Sequence, residues 1–257
     1  MSGDVAVRKL FVLTGASRGM GAALAEQLLA PDHLLLCISR QRSDALAARA
    51  EAAGAHCEQW SLDLSNPTEA AAQLQTWLAT FDGATFSAAT LINNAAALTR
   101  IGPLDECSDA ELASALRVGL EAPLLLSAAF LRATRTWPAD KRVLNISSGL
   151  GRRAMAGQAS YCAAKAGMDH LTRAMALDEA HRPNGAKLVS LAPGVIDTDM
   201  QVQLRGGDEA GFPEKANFVG LKERGQLTSP ADAASRLRAY LARPDFGANP
   251  VADVRDA

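Results

Sequence analysis

The chain is expected to fold as one doubly wound α/β domain, a parallel sheet with helices on both faces. Three features of the sequence predict this. Short apolar runs alternate with longer helical stretches almost to the end of the chain, and such a strand–helix repeat builds a parallel sheet buried on both sides. No linker, internal repeat or low-complexity tract interrupts the alternation. At 257 residues, 48% hydrophobic and 21% charged, the chain can bury its own core without disulfides or metal.

The first apolar run, Leu10–Leu13, reads as a strand, and a glycine-rich turn leads from it into a helix over Gly21–Leu29. Leu34–Ser39 follows as the second strand, continuously apolar through Ile38 as a buried parallel strand should be. Ser43–Ala53 is alanine-rich and helical, and Cys57–Leu62 is the third strand. Pro67 opens a helix to Ala79, at a position where its missing N–H costs little. Thr90–Asn93, Val143–Ser147 and Lys187–Leu191 are the remaining strands. Between them lie helices over Asp109–Leu131 and Gln158–His181, the second closed by Pro183. The stretch 201–226 differs, because Gly206, Gly207, Gly211, Pro213, Gly220 and Gly225 stand among many charges. An irregular connection that long is usually functional. Its place after the sixth strand marks it as a substrate lid.

Charge and cysteine usage narrow the function classes. Lys and Arg number 26 against 28 Asp and Glu, a net charge of −2. That balance, with no basic block, offers no footprint for nucleic acid or an anionic membrane. Apolar runs such as Leu34–Ile38 fall far short of the ~20 residues that cross a bilayer, and Leu10–Leu13 is too short for a signal peptide. Cys37, Cys57, Cys107 and Cys162 are widely spaced, with no C-x-x-C pair. They read as reduced thiols of a cytoplasmic protein, and no metal site is expected.

The turn Thr14-Gly15-Ala16-Ser17-Arg18-Gly19-Met20-Gly21 joins a strand to a helix. Glycines there permit a tight turn, close approach to a pyrophosphate and close packing of helix on strand, the Rossmann-type arrangement. The helix N-terminus adds free N–H groups and the positive end of its dipole. The second strand ends in Ser39-Arg40, with no carboxylate before Asp44. A NAD site places an acid at this point and an NADP site an arginine. Arg18 and Arg40, at both edges of the expected pocket, therefore predict NADP(H).

Tyr161 and Lys165 are four apart in a helix and share one face, and Ser148 follows the fifth strand. With Thr14–Gly21, Asn93-Asn94-Ala95, Asn145-Ile146-Ser147-Ser148, Tyr161-Cys162-Ala163-Ala164-Lys165 and Pro193-Gly194 to Thr198 in one order, the chain resembles the short-chain dehydrogenase/reductase family over nearly its whole length. The resemblance implies that Ser148, Tyr161 and Lys165 are catalytic, Ser147 being the second candidate for the serine. It implies that Gly15, Ser17, Arg18, Gly19, Met20 and Gly21 cradle the dinucleotide and that Asp63 and Leu64 flank the adenine. It further implies that Asn93, Asn94 and Ala95 border the cofactor, that Lys165 holds its ribose beside Tyr161, and that Pro193, Gly194 and Thr198 serve the nicotinamide end. A free tyrosine titrates near ~10. The Lys165 ammonium is expected to lower that value by favouring the phenolate. Tyr161 would then protonate a carbonyl oxygen that Ser148 also hydrogen-bonds.

Two departures stand out. The family's Asn-Asn-Ala-Gly motif ends here as Asn94-Ala95-Ala96, and Gly119 stands where members carry an asparagine that anchors a water of the proton relay. Asp197-Thr198-Asp199-Met200-Gln201 and the stretch 251–256 resemble the branch with sepiapterin-reductase and benzil-reductase-like members. That resemblance implies an NADPH-dependent carbonyl reductase acting on a small ketone or vicinal dicarbonyl. It makes Asp253 either a substrate anchor or a solvated tail carboxylate. Two alternatives remain: a 3-oxoacyl thioester reductase or other alcohol/ketone oxidoreductase of the family, and a non-catalytic NADP(H)-binding sensor. The family resemblance also implies a homodimer or homotetramer built on the Asp109–Leu131 and Gln158–His181 helices.

Overall fold

The structure, a computed structural model, describes residues 8–256. Seven strands make one sheet in the order β3-β2-β1-β4-β5-β6-β7, every neighbouring pair parallel. They are β1 (Arg8–Thr14), β2 (His33–Ser39), β3 (His56–Ser61), β4 (Phe86–Asn93), β5 (Asp140–Ile146), β6 (Lys187–Ala192) and β7 (Val251–Asp253). Side chains alternate as the pleat requires: Leu34, Leu36 and Ile38 enter one core, and Leu35 and Cys37 enter the other. The first core lies beneath α3 (Pro67–Leu78) and α5 (Ala122–Ala133), the second beneath α1 (Gly19–Gln27) and α9 (Pro230–Leu241). The expected doubly wound architecture is the observed one.

Local chemistry sets the helix ends. The Ser43 hydroxyl accepts from the Leu46 N–H at 3.2 Å to start α2 (Asp44–Ala52). Ser108 and Glu111 form a capping box before α4 (Asp109–Leu116). The helix expected over Asp109–Leu131 is an unbroken helical run over Asp109–Ala133, with a π-helical turn, Arg117–Glu121, between α4 and α5. Gly119 sits in that turn, where a Cβ would come 3.0 Å from the Ala164 Cβ on α6 (Ala159–Ala180). The span Asp109–Ala133 is long and apolar enough to cross a membrane, yet half of its most apolar window is buried within this fold.

Two elements were too short or too polar to be foreseen. β7 has three residues and pairs with β6. α9 buries only a narrow stripe, Ala233, Ala234, Leu237 and Leu241. The stretch 201–226 is not an irregular loop. It holds the end of α7 (Asp199–Arg205) and all of α8 (Lys215–Glu223), and Leu204 and Phe212 pack with Ile101 and Met155 in a third small cluster.

Asn93 proves to be a scaffold residue. It is buried, outside the cavity wall, and its amide donates to Asn145 Oδ1 at 2.8 Å and Ser127 Oγ at 3.2 Å. Asn145 Nδ2 continues the chain to Thr172 Oγ1 at 2.9 Å. These bonds tie β4, β5, α5 and α6 together just behind the strand ends. Replacing Asn145 with Ala should cost Asn93 Nδ2 and Thr172 Oγ1 one buried hydrogen bond each and lower the unfolding free energy by about 2–3 kcal/mol, measurable by urea denaturation.

Candidate active site

A cavity of about 740 Å³ opens along the carboxyl ends of the strands. It centres on the crevice between β1 and β4, where the strand order reverses and open α/β sheets take their ligands. Gly15 and Gly19 adopt φ of +71° and +55°, values that disfavour any side chain. A Cβ on Gly21 would stand 2.1 Å from the Gly15 carbonyl oxygen. Asn94 fastens this turn from β4, its Nδ2 donating to the carbonyl oxygens of Thr14 at 2.9 Å and Gly15 at 3.2 Å. No side chain caps α1. Its first N–H groups thus face a cradle shaped for backbone approach, which fits a pyrophosphate.

Ser17, Met20, Leu64, Ala95, Pro193, Gly194 and Thr198 line the same cavity, as do Arg40 and Asp63. A hydrogen bond from the Ser65 N–H to Asp63 Oδ1, 2.9 Å long, holds the Asp63 carboxyl below its ordinary range, with Arg40 adding to the effect. Arg40 is exposed and has room to meet a ligand phosphate. Arg18 also lines the cavity, but its guanidinium is paired with Asp199 at the start of α7, Nη1 to Oδ2 at 2.9 Å. An exposed pair of this kind contributes little stability, so the arginine exchanges partners at small cost.

Ser148, Tyr161 and Lys165 converge on the cavity floor. Ser147 borders the cavity too, but it is buried and its hydroxyl donates to Asp169 Oδ1 at 2.5 Å. The Lys165 ammonium lies 5.5 Å from the Tyr161 ring centre and donates to the Ile146 carbonyl oxygen at 2.6 Å. Desolvation pushes the Tyr161 pKa up to about 12, while the Ser148 hydroxyl pulls it the other way. The direction is opposite to the one expected from the Lys165 ammonium alone, because desolvation of the ring dominates. Burial lowers Lys165 to about 8, and the Asp169 carboxylate works against that fall. At neutral pH the pair is a protonated phenol beside an ammonium.

Several wall residues escaped the sequence reading. Leu98, Leu150, Met155, Leu204 and Phe218 give one side of the cavity an apolar surface, with Gln158 and Arg153 beside them. Gln158 stands three residues before Tyr161 at the start of α6, a helical spacing that was available as a signal. Asp253 borders the cavity and is 6% exposed, but both carboxylate oxygens are held by Arg255, at 2.8 and 2.6 Å.

The short chain dehydrogenase family model matches residues 9–209. The chain belongs to that family. It is 34% identical over 235 residues to a benzil reductase ((S)-benzoin forming) of Bacillus cereus, covering 91% of this chain and 94% of that protein. It is 32% identical to the sepiapterin reductase of Meriones unguiculatus, covering 95% of each. A short-chain dehydrogenase/reductase from Burkholderia vietnamiensis superposes with a TM-score of 0.66 at 38% identity, covering 98% of this chain and 99% of that one. The chain is thus an oxidoreductase of a family that binds nicotinamide cofactors.

Two outcomes follow from the geometry. Gly21→Ala should abolish NADPH binding by fluorescence titration while circular dichroism still reports a folded chain, because the added methyl must displace the Gly15 backbone. Carbonyl reduction should decline as pH rises through about 8, where Lys165 loses its proton, and a pH series of NADPH oxidation rates checks this.

Proposed function

We propose that the chain is an NADPH-dependent reductase of compact vicinal dicarbonyls such as benzil, working in the cytoplasm. The observation that carries this reading is the position of Ser148 and Tyr161 between the glycine cradle and the apolar wall formed by Leu98, Leu150, Met155, Leu204 and Phe218. A diaryl diketone would lay its rings against that wall and turn one carbonyl to the hydroxyl pair. The benzil-reductase relatives support the same substrate class.

Gly15, Gly19 and Gly21 with the first turn of α1 would hold the pyrophosphate, Lys165 the nicotinamide ribose, and Thr198 with Pro193 and Gly194 the nicotinamide end. A dinucleotide held there would supply the hydride that the carbonyl carbon takes up. As negative charge grows on the carbonyl oxygen, Ser148 donates a hydrogen bond to it and Tyr161 delivers its hydroxyl proton. A phenol kept protonated by desolvation is ready to donate, and the Lys165 ammonium steadies the phenolate left behind. The trio favours an enzyme over a sensor, because simple cofactor binding does not require Ser148.

Arg40 after β2, with no acid at the strand end, supports NADPH over NADH. Pairing of Asp253 with Arg255 favours an apolar diketone over a pterin, since an anchor for amino groups would have to release its arginine. Leu116, Leu124 and Leu177 are large apolar residues exposed on α4, α5 and α6, which supports a homodimer or homotetramer through those helices.

Three measurements test these points. Wild-type protein should oxidise NADPH with benzil faster than with sepiapterin or a 3-oxoacyl thioester; no oxidation with any carbonyl despite tight NADPH binding would favour the sensor. Tyr161→Phe should keep NADPH binding and lose roughly 100- to 10,000-fold in turnover. Arg40→Asp should flatten or reverse the NADPH preference, and an unchanged ratio of the two cofactors would remove Arg40 from the site.

A further inference from the structure

One buried acid takes no part in the reaction as described. Asp169 is 1% exposed and stands one turn beyond Lys165 on α6. Its Oδ1 accepts hydrogen bonds from the Ser147 hydroxyl at 2.5 Å and the Ser190 hydroxyl at 2.7 Å. Its Oδ2 accepts from Arg152 Nε at 3.2 Å, and Arg152 Nη2 runs on to the Ala252 carbonyl oxygen in β7 at 2.8 Å. One carboxylate therefore joins α6 to the end of β5, to β6 and, through Arg152, to β7. The turn after Ser148 is moulded on it, since a Cβ at Gly151 would lie 2.9 Å from Oδ2. An ionised carboxylate is costly to bury and is retained where it is fully hydrogen-bonded.

We propose that Asp169 is a positioning residue for the reduction, holding the Ser147–Ser148 strand end against α6 and setting a carboxylate one helical turn from Lys165. This rests on the reductase reading above. Ser147 is the chain neighbour of Ser148, so fixing its hydroxyl fixes the backbone from which Ser148 reaches the cavity. On the electrostatic side, the Asp169 carboxylate, one helical turn beyond Lys165, favours the ammonium against the cost of burial. Arg152, one-third exposed, is the counter-ion that offsets part of that charge. Tyr161 faces Lys165 from one turn earlier, Cys162 acts on Tyr161, and Asp253 of β7 faces Arg152.

The test follows the Lys165 ammonium by NMR in protein labelled with 15N-lysine, alongside the pH profile of kcat with benzil. Asp169→Asn keeps the size and an oxygen acceptor for the two serines but removes the charge. The Lys165 midpoint should fall by roughly 1 pH unit, and the alkaline limb of kcat should move down with it. Arg152→Gln removes the opposing cation and should move both upward. A role confined to stability would lower the melting temperature of both variants without moving the midpoints in opposite directions. Coincident Lys165 midpoints in wild type and Arg152→Gln overturn the proposal even if Asp169→Asn fails to fold. The NMR midpoint needs no turnover, so its failure is distinct from failure of the reductase reading, which the wild-type benzil assay decides.

Discussion

All seven strands run in one direction, and this single constraint assembles the site. Each strand hands the chain to the same edge of the sheet, so residues far apart in sequence emerge side by side. Gly15 follows β1, Arg40 follows β2, Asp63 lies just past β3, Asn94 follows β4, Ser148 lies just past β5 and Pro193 follows β6. Burial on both faces enforces the direction, because parallel strands need helical crossovers, and the crossovers cover the apolar side chains of the strands. The crevice at β1 and β4 follows from the winding itself.

Onto that edge α6 brings a phenol and an ammonium. Tyr161 and Lys165 share one rigid helix whose far end is anchored at Glu179. The Glu179 carboxylate accepts from Arg135 at 2.9 and 2.6 Å and from the Ala186 N–H at 2.9 Å. With its heel fixed, the helix holds the phenol and the ammonium in one relation to the end of β5. Burial shifts the two groups apart, the phenol upward and the lysine downward, so at neutral pH both hold their protons.

Much of this was legible in the sequence because the signals are local. A glycine that tolerates no Cβ, a strand that is apolar at every position and a Tyr–Lys pair at helical spacing each report their own structure. The six longer strands and the glycine turn were readable for that reason, as was the cavity-facing set from Gly15 to Thr198. What was not legible depends on partners distant in the chain. Asn93 looks like a cofactor neighbour until Asn145 and Ser127 are seen to occupy its amide. Arg18 looks free until Asp199, on a helix much later in the chain, pairs with it. β7 has too few residues to show a period, and the many glycines around α7 and α8 mask two helices whose apolar residues meet Ile101 and Met155. The direction of the Tyr161 shift was not legible because the desolvation that dominates it comes from the whole fold packed around the ring.

The small cluster under α7 and α8 has a consequence for the shape of the cavity. Ile101, Met155, Leu204 and Phe212 form a core of their own, separate from the two cores that flank the sheet. Substitutions among Ile101, Leu204 and Phe212 should therefore reshape the roof of the cavity while leaving the two cores that carry the sheet intact. The shape of the cavity's apolar side is thus set by a few side chains that the sheet does not need for its own packing.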